Sequence, residues 1–151
     1  MELSLYDRHR FDEFWTVIDG IDPAHLDVIQ APEIWSIADV IDHLVDAETQ
    51  SYVRLRSALY DLSSIIPNHD ENRWQASTRP HYSHAHARSL IDGIRQANHD
   101  LLATLDAAAL ERTGMHTTAG PVSVRQLFQI YDDHVGTHLW QVHRLLANIT
   151  S

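Results

Sequence analysis

The sequence has 151 residues, 44% hydrophobic and 21% charged, which is typical of one globular domain and unlike a disordered chain. The formal net charge of -10 disfavours a nucleic-acid partner, because the general field repels phosphate. The absence of cysteine excludes disulfides, thiolate ligands and a cysteine nucleophile. No apolar run near the start suits a signal peptide or a membrane span, so we predict a single cytoplasmic domain, residues 1–151, without a membrane partner.

Two helical patterns occupy the first part of the chain. Residues 5–19 repeat large apolar side chains at the i, i+3, i+4 and i+7 spacing of one helix face, and Gly20 is a stop signal. The second pattern follows Ser36, which forms something close to a capping box with Asp39. Its apolar stripe predicts a long central helix that extends as far as Leu62.

The second part of the chain contains two connections and two further helices. Residues 63–80 hold two prolines and many small polar residues, which predicts a long loop suited to closing over something, with Trp74 as its one large anchor. A third helix is predicted over residues 83–105. The segment ERTGMHTTAGP is the last connection, and a capping box at Ser123 opens a final helix that runs to about Asn148.

These patterns define the expected architecture. No alternating β pattern, internal repeat or interdomain linker is visible. Four amphipathic helices in a chain of this size can bury their apolar stripes only against one another. We therefore predict an all-α protein, a four-helix bundle with long connections.

Two histidines interrupt the apolar side of the last helix, in the stretch IYDDHVGTHLWQVHRLL. His138 lies within the inward face and His134 lies at its edge, one turn away, so both imidazoles can reach one point in the bundle interior. They are either core residues satisfied by backbone groups or water, or ligands of a divalent metal, which removes the cost of burying two unpaired imidazoles side by side. The pair alone leaves both interpretations open.

A metal site needs a third ligand from another helix. His43 lies at the margin of the apolar stripe of the second helix, which permits such a role. Glu48 lies at the centre of that stripe, where an ionised carboxylate is costly unless it meets a cation or hydrogen-bond donors. Snorkelling of the side chain or a bend in the helix would also explain Glu48.

The remaining polar residues near these patterns are interpreted as surface groups. His81, His84 and His86 are expected in an exposed helix cap, since neighbours at i and i+2 point apart. Asp132 and Asp133 are expected to form a solvated patch. The histidines with no partner at ligand spacing are also assigned to the surface: His9, His25, His69, His99 and His116.

Three motifs together resemble a known family. They are WSIADVIDHLVDAE, NHDENRW and SVRQLFQIYDDHVGTHLWQVHRLL, which occur in the order typical of the DinB superfamily, and the likeness is closest to its DinB/YfiT-like branch. The resemblance covers nearly the whole chain. It implies a four-helix bundle that holds a divalent metal, nickel, zinc or another ion, through three histidines, at positions that match His43, His134 and His138 here.

The resemblance also implies a class of chemistry. Characterised members include enzymes that transfer or use low-molecular-weight thiols such as bacillithiol and mycothiol, and a thiol-dependent isomerase. A metal held by three neutral imidazoles keeps open positions, so it can activate water for hydrolysis or hold a substrate thiol as thiolate. Because this chain lacks cysteine, any sulfur nucleophile would have to be a cosubstrate.

We therefore predict a metal-dependent transferase or hydrolase that acts on a small molecule. Glu48 is the candidate general base or partner of a ligand, and Tyr131 is the candidate hydrogen-bond donor to substrate. The alternative is a non-catalytic bundle that binds a metal or ligand. A di-iron carboxylate site fits less well, since no E-x-x-H pair occurs. A homodimer is compatible with the sequence.

Overall fold

A computed structural model describes residues 3–60, 65–77 and 81–151 of the chain. Its four main helices are α1 (Asp12–Asp19), α2 (Ile37–Tyr60), α4 (His84–Ala103) and α6 (Val124–Thr150). Two shorter helices, α3 (Glu71–Ser77) and α5 (Ala107–Leu110), and two single 3-10 turns, Leu3–Leu5 and Pro23–His25, lie in the connections. The central helix α2 packs against both α4 and α6. Within the described ranges, no helix has an apolar stretch long enough to cross a membrane.

The connections also form a small three-stranded sheet that the sequence analysis did not predict. Its strands are β1 (Ile65–Ile66), β2 (Thr113–His116) and β3 (Gly120–Ser123), in the order β1-β2-β3. β1 runs parallel to β2, and β2 and β3 form an antiparallel hairpin. Strands of two to four residues are too short to show an alternating pattern, which is why the sequence did not reveal them. The sheet is minor beside the helices, and the predicted all-α class is confirmed.

The starts of α2 and α6 agree with the capping boxes predicted from the sequence. At the start of α2, the Ser36 amide donates to Asp39 at 2.9 Å and the Asp39 amide donates to the Ser36 hydroxyl at 3.1 Å. At the start of α6, Ser123 and Gln126 form the same reciprocal pair. Both capping boxes are confirmed, and each satisfies two amide groups that a helix N-terminus leaves without partners.

The first helix and the loop over residues 63–80 differ from those predicted. The first helix begins at Asp12 and not at residue 5, because the preceding chain turns so that Tyr6 is buried edge-on against Phe128. The loop predicted over residues 63–80 contains β1 and α3 where it is described. Trp74 is 42% exposed and is not its anchor; Gln75 is the buried residue of α3. The predicted helix end at Leu62 lies outside the described residues.

The core is apolar along α1, whereas α2, α4 and α6 also bury polar side chains; those of α2 include Asp42, His43 and Glu48. The buried face of α4 consists of Ala87, Ile91, Arg95, Asn98 and Leu102. Leu90, an apolar residue whose spacing from Ala87 and Ile94 also suits an inward face, is 43% exposed. Arg95 is fully buried, although the apolar pattern of the sequence did not predict that this charged side chain would face inward.

Candidate metal centre

The structure brings His43, His134 and His138 together between α2 and α6. The Nε2 atom of His134 lies 3.3 Å from Nε2 of His43 and 3.1 Å from Nε2 of His138. The three residues form a group whose ligand nitrogens all lie within 4.8 Å of one another. Helical spacing explains the pair on α6, since residues four apart point to the same side.

The geometry of this group fits a divalent metal. A tetrahedral zinc ion with nitrogen ligands at about 2.0–2.1 Å separates those nitrogens by about 3.3–3.4 Å, close to the distances between the Nε2 atoms here. The Nδ1 atoms of His43 and His134 are buried and have no hydrogen-bond partner among the described residues. His138 differs, because its Nδ1 atom lies 2.8 Å from Oε1 of Gln141, which can orient the ring.

Burial keeps these imidazoles in the neutral form that binds metals. Desolvation, followed by the charges of the neighbouring histidines, lowers the pKa of His43 to about 3 and that of His134 to about 4. Desolvation also lowers the pKa of His138, although its hydrogen bond to Gln141 acts in the opposite direction. Three neutral imidazoles at neutral pH offer three lone pairs without proton release.

A pH dependence of stability follows for the metal-free protein. Below about pH 6.5 the unfolded chain protonates His43 and His134, whereas the folded chain resists protonation until about pH 4 and below. Stability is therefore lost as the pH falls from about 6.5, by at most about 2 kcal/mol per histidine at pH 5. Urea unfolding in EDTA at pH 7 and pH 5 measures this loss.

The controls for this prediction are two asparagine variants. The double variant His43→Asn/His134→Asn should lose part of the pH dependence, because asparagine does not titrate. His143→Asn, at an exposed position of the same helix α6, should keep the pH dependence of the parent. An unchanged slope in the double variant would show that other groups cause the acid sensitivity.

Aromatic and acidic side chains surround the three histidines. The Trp35 ring lies 5.0 Å from the His43 ring and is stacked at 6.5 Å on His138. Glu71, in the first turn of α3, places Oε2 at 3.8 Å from Nε2 of His43. Glu71 therefore places a carboxylate beside the point where the three histidine nitrogens converge. This position was not predicted from the sequence.

His69 also lies beside the candidate metal centre, although it was predicted to be a surface residue. Its ring is stacked parallel to His43 at 6.1 Å and contacts Trp74 edge-on at 4.9 Å. Its Nε2 atom is buried and finds no hydrogen-bond partner in the described ranges, and burial lowers its pKa. The assignment of His69 to the surface was wrong, because contacts between a connection and a helix leave no periodic signal in the sequence.

Glu48 belongs to a separate buried network. It is 1% exposed, accepts a hydrogen bond from the Tyr6 hydroxyl at 3.2 Å and pairs with Arg95 at 3.4 Å. Burial raises the pKa of Glu48 to about 7, although Arg95 acts against this. The cation and the donor that its buried position requires are thus present, while its predicted role as a general base stays a prediction.

Tyr131 is buried on the inward face of α6, one turn before His134. Its hydroxyl accepts a hydrogen bond at 3.0 Å from Arg54, which also donates to the carbonyl oxygen of Pro67. Burial raises the pKa of Tyr131. The hydroxyl therefore keeps its own proton for donation, and its predicted contact with substrate stays a prediction.

Two groups assigned to the surface make buried contacts instead. Asp132 is 19% exposed and accepts from Arg95 at 2.9 Å, while its neighbour Asp133 is exposed as expected. His81 lies 2.6 Å from the buried carboxylate of Asp42. In both cases a partner distant in sequence leaves the side chain only partly exposed to solvent.

The fold and the site define the class of protein. A family model of the DinB superfamily matches residues 5–142, and the chain belongs to this superfamily. The resemblance inferred from the sequence motifs is confirmed.

Individual relatives agree with this assignment. A protein of Oceanobacillus iheyensis is 29% identical over 136 residues, covering 90% of this chain and 74% of its own length. A protein of Bacillus mycoides is 24% identical over 140 residues, covering 93% of this chain and 77% of its own. Both are provisionally named as metal-dependent hydrolases.

One solved structure establishes the fold. YfiT from Bacillus subtilis, described as a probable metal-dependent hydrolase with an unusual four-helix bundle topology, matches with a TM-score of 0.85. The match covers 98% of this chain and 85% of YfiT, at 18% sequence identity. The predicted four-helix bundle is confirmed, with the small sheet as an addition.

Proposed function

We propose that this protein is a metal-dependent hydrolase that cleaves an ester or amide bond of a small molecule at the centre formed by His43, His134 and His138. The observation that carries the proposal is the convergence of three neutral imidazole nitrogens beside an open cleft, at separations that suit a divalent ion such as zinc or nickel. The names of the relatives support the same class of reaction.

The residues around the centre would divide the chemistry. A divalent ion held by the three histidines supplies Lewis acidity, which activates water and polarises a carbonyl oxygen. Oε2 of Glu71 would accept the proton of the attacking water, since it lies 3.8 Å from Nε2 of His43. The Glu71 side chain is about half exposed and lines the cleft, so substrate and water can reach it. Gln141 would hold the His138 ring in place through Nδ1.

Glu71 is favoured over Glu48 as the proton acceptor. The Glu48 carboxylate is engaged by Tyr6 and Arg95, and no contact joins it to the three histidines among the described residues. A base must reach the proton that it removes, directly or through one water. Glu71 has this access, because it lines the cleft together with His138.

The test is the variant Glu71→Gln, assayed after zinc or nickel loading against a panel of chromogenic esters and amides. We expect kcat to fall roughly 100-fold or more, because the amide cannot accept a proton, while metal content stays equal to that of the parent. The matched control is Glu13→Gln, at an exposed position of α1, which should keep full activity. Metal-independent turnover, or none across the panel, would count against a hydrolase.

Transfer of a low-molecular-weight thiol is the alternative reaction. It is supported by the resemblance of the sequence motifs to the DinB superfamily, whose characterised members include thiol-using enzymes. The same metal-loaded protein is assayed with and without an added thiol such as bacillithiol. Turnover that requires the thiol would favour a transferase. Stoichiometric metal binding without turnover under either condition would favour a non-catalytic binding protein.

A further inference from the structure

A cleft leads away from the three histidines between α3 and the segment before α2. Its larger part has a volume of about 610 Å³. A smaller part of about 230 Å³ reaches His138 and Gln141. The two parts share the walls formed by Glu33, Ile34 and Trp35, so they adjoin each other, and the smaller part borders the candidate metal centre at His138.

The charges along this cleft have one sign. Glu33 lines both parts, and Glu71 lines the part nearest to the histidines. Asp39 also lines the larger part, but its carboxylate already accepts hydrogen bonds from the Ser36 amide and from Gln75. Arginine is absent from the described lining, and the sequence contains no lysine.

The other walls are apolar or neutral. Ile29 and Ile34 are large hydrophobic residues that are 63% and 46% exposed, and both face the cleft beside Trp35. Asn72 and Gln75 add amide groups from α3. An apolar body can therefore pack on the wall before α2 while polar groups contact α3.

We propose that the cleft selects a small amphipathic cation, an ester or amide that carries an ammonium group on an apolar or aromatic body. This inference rests on the proposed hydrolase function for its ester or amide bond, but the choice of charge rests on the cleft alone. The ammonium group lies near Glu33, the body packs on Trp35 and Ile34, and the bond to be cleaved lies toward His138. A negative group in place of the ammonium would be repelled by Glu33.

Binding of simple probes tests the proposal without turnover. The probes are 4-phenylbutylamine, 4-phenyl-1-butanol and 4-phenylbutanoate, which share one apolar body and differ in charge. We expect the amine to bind the metal-free protein roughly three- to tenfold more tightly than the alcohol, and the carboxylate to bind more weakly than both, with the preference reduced by salt. Titration of the metal-free protein, followed by NMR, measures the three affinities without coordination of the carboxylate to a metal ion.

The variant Glu33→Gln shows whether the cleft is the source of the preference. It should weaken binding of the amine roughly threefold and leave the alcohol unchanged, because glutamine keeps the shape and removes the charge. Glu111→Gln, at an exposed residue that pairs with Arg125 outside the cleft, is the control and should change neither. Equal affinities for amine and alcohol, a preference for the carboxylate, or a preference that Glu33→Gln leaves undiminished would overturn the proposal.

The two proposals can fail separately. Selective binding of the amine without turnover of any ester or amide would contradict the hydrolase and leave the charge preference intact. Turnover of neutral and anionic esters as fast as amino esters would contradict the charge preference and leave the hydrolase intact.

Discussion

Replacing His138 by asparagine is expected to weaken zinc binding at least about 100-fold and to abolish any metal-dependent activity. The three Nε2 atoms converge on one point, and asparagine is too short to place a ligand atom there. Competition with a chelator of known affinity measures the change, and elemental analysis after dialysis measures the metal content. His143→Asn, five residues further along α6 and exposed, is the matched control and should bind zinc like the parent.

The fold of the His138→Asn variant can be checked independently. Val135 and Val142, which flank His138 on the inward face, remain in place, so the helical circular dichroism spectrum should be unchanged. A variant that folds and still binds one zinc ion with the affinity of the parent would contradict the proposed centre.

Replacing Arg95 by methionine is expected to destabilise the protein by about 3–5 kcal/mol. The fully buried guanidinium pairs with Glu48 at 3.4 Å and with Asp132 at 2.9 Å, and it donates to the carbonyl oxygens of Asp7 and Tyr131. It also lies 3.8 Å above the ring centre of Tyr6. Methionine fills most of the volume but leaves the Glu48 carboxylate without its buried cation. Urea unfolding measures the loss.

Two companion variants separate charge from packing. Glu48→Gln in the Arg95→Met background should restore part of the lost stability, because the uncompensated carboxylate is removed. Arg88→Met, two turns earlier on α4, breaks an ion pair with Asp19 that is partly exposed on both sides and should cost at most about 1 kcal/mol. An equally small effect at Arg95 would show that the buried network contributes little to stability.

The helices and their starts could be predicted from the sequence because both depend on local patterns. Ser36 and Ser123 begin helices through partners only three residues away, and the apolar repeats set the inward faces. The small sheet could not be predicted, because its pairing joins β1 to β2 across about fifty residues and each strand is short. The bundle assignment required only the helices.

The candidate site could be predicted only where it depends on local helix geometry. His134 and His138 share a helix face, so their proximity follows from helix geometry. The position of His43 at the margin of the apolar stripe of α2 only permitted the role of third ligand, and the family resemblance then matched it. His69 and Glu71 lie in a connection whose path depends on tertiary contacts. Burial of Arg95 could not be predicted, since Ile94 beside it offers an apolar side chain at helical spacing from Ile91.

The placement of two histidines in the middle of α6 determines how an ion would be captured. α6 has 27 residues, so the spacing of His134 and His138 is held by several helical turns on either side. His43 is held in the same way within the 24 residues of α2. The donors are in position before the ion arrives, so little chain entropy is lost on coordination. Ion uptake would then be limited by diffusion and dehydration of the ion, without a folding step.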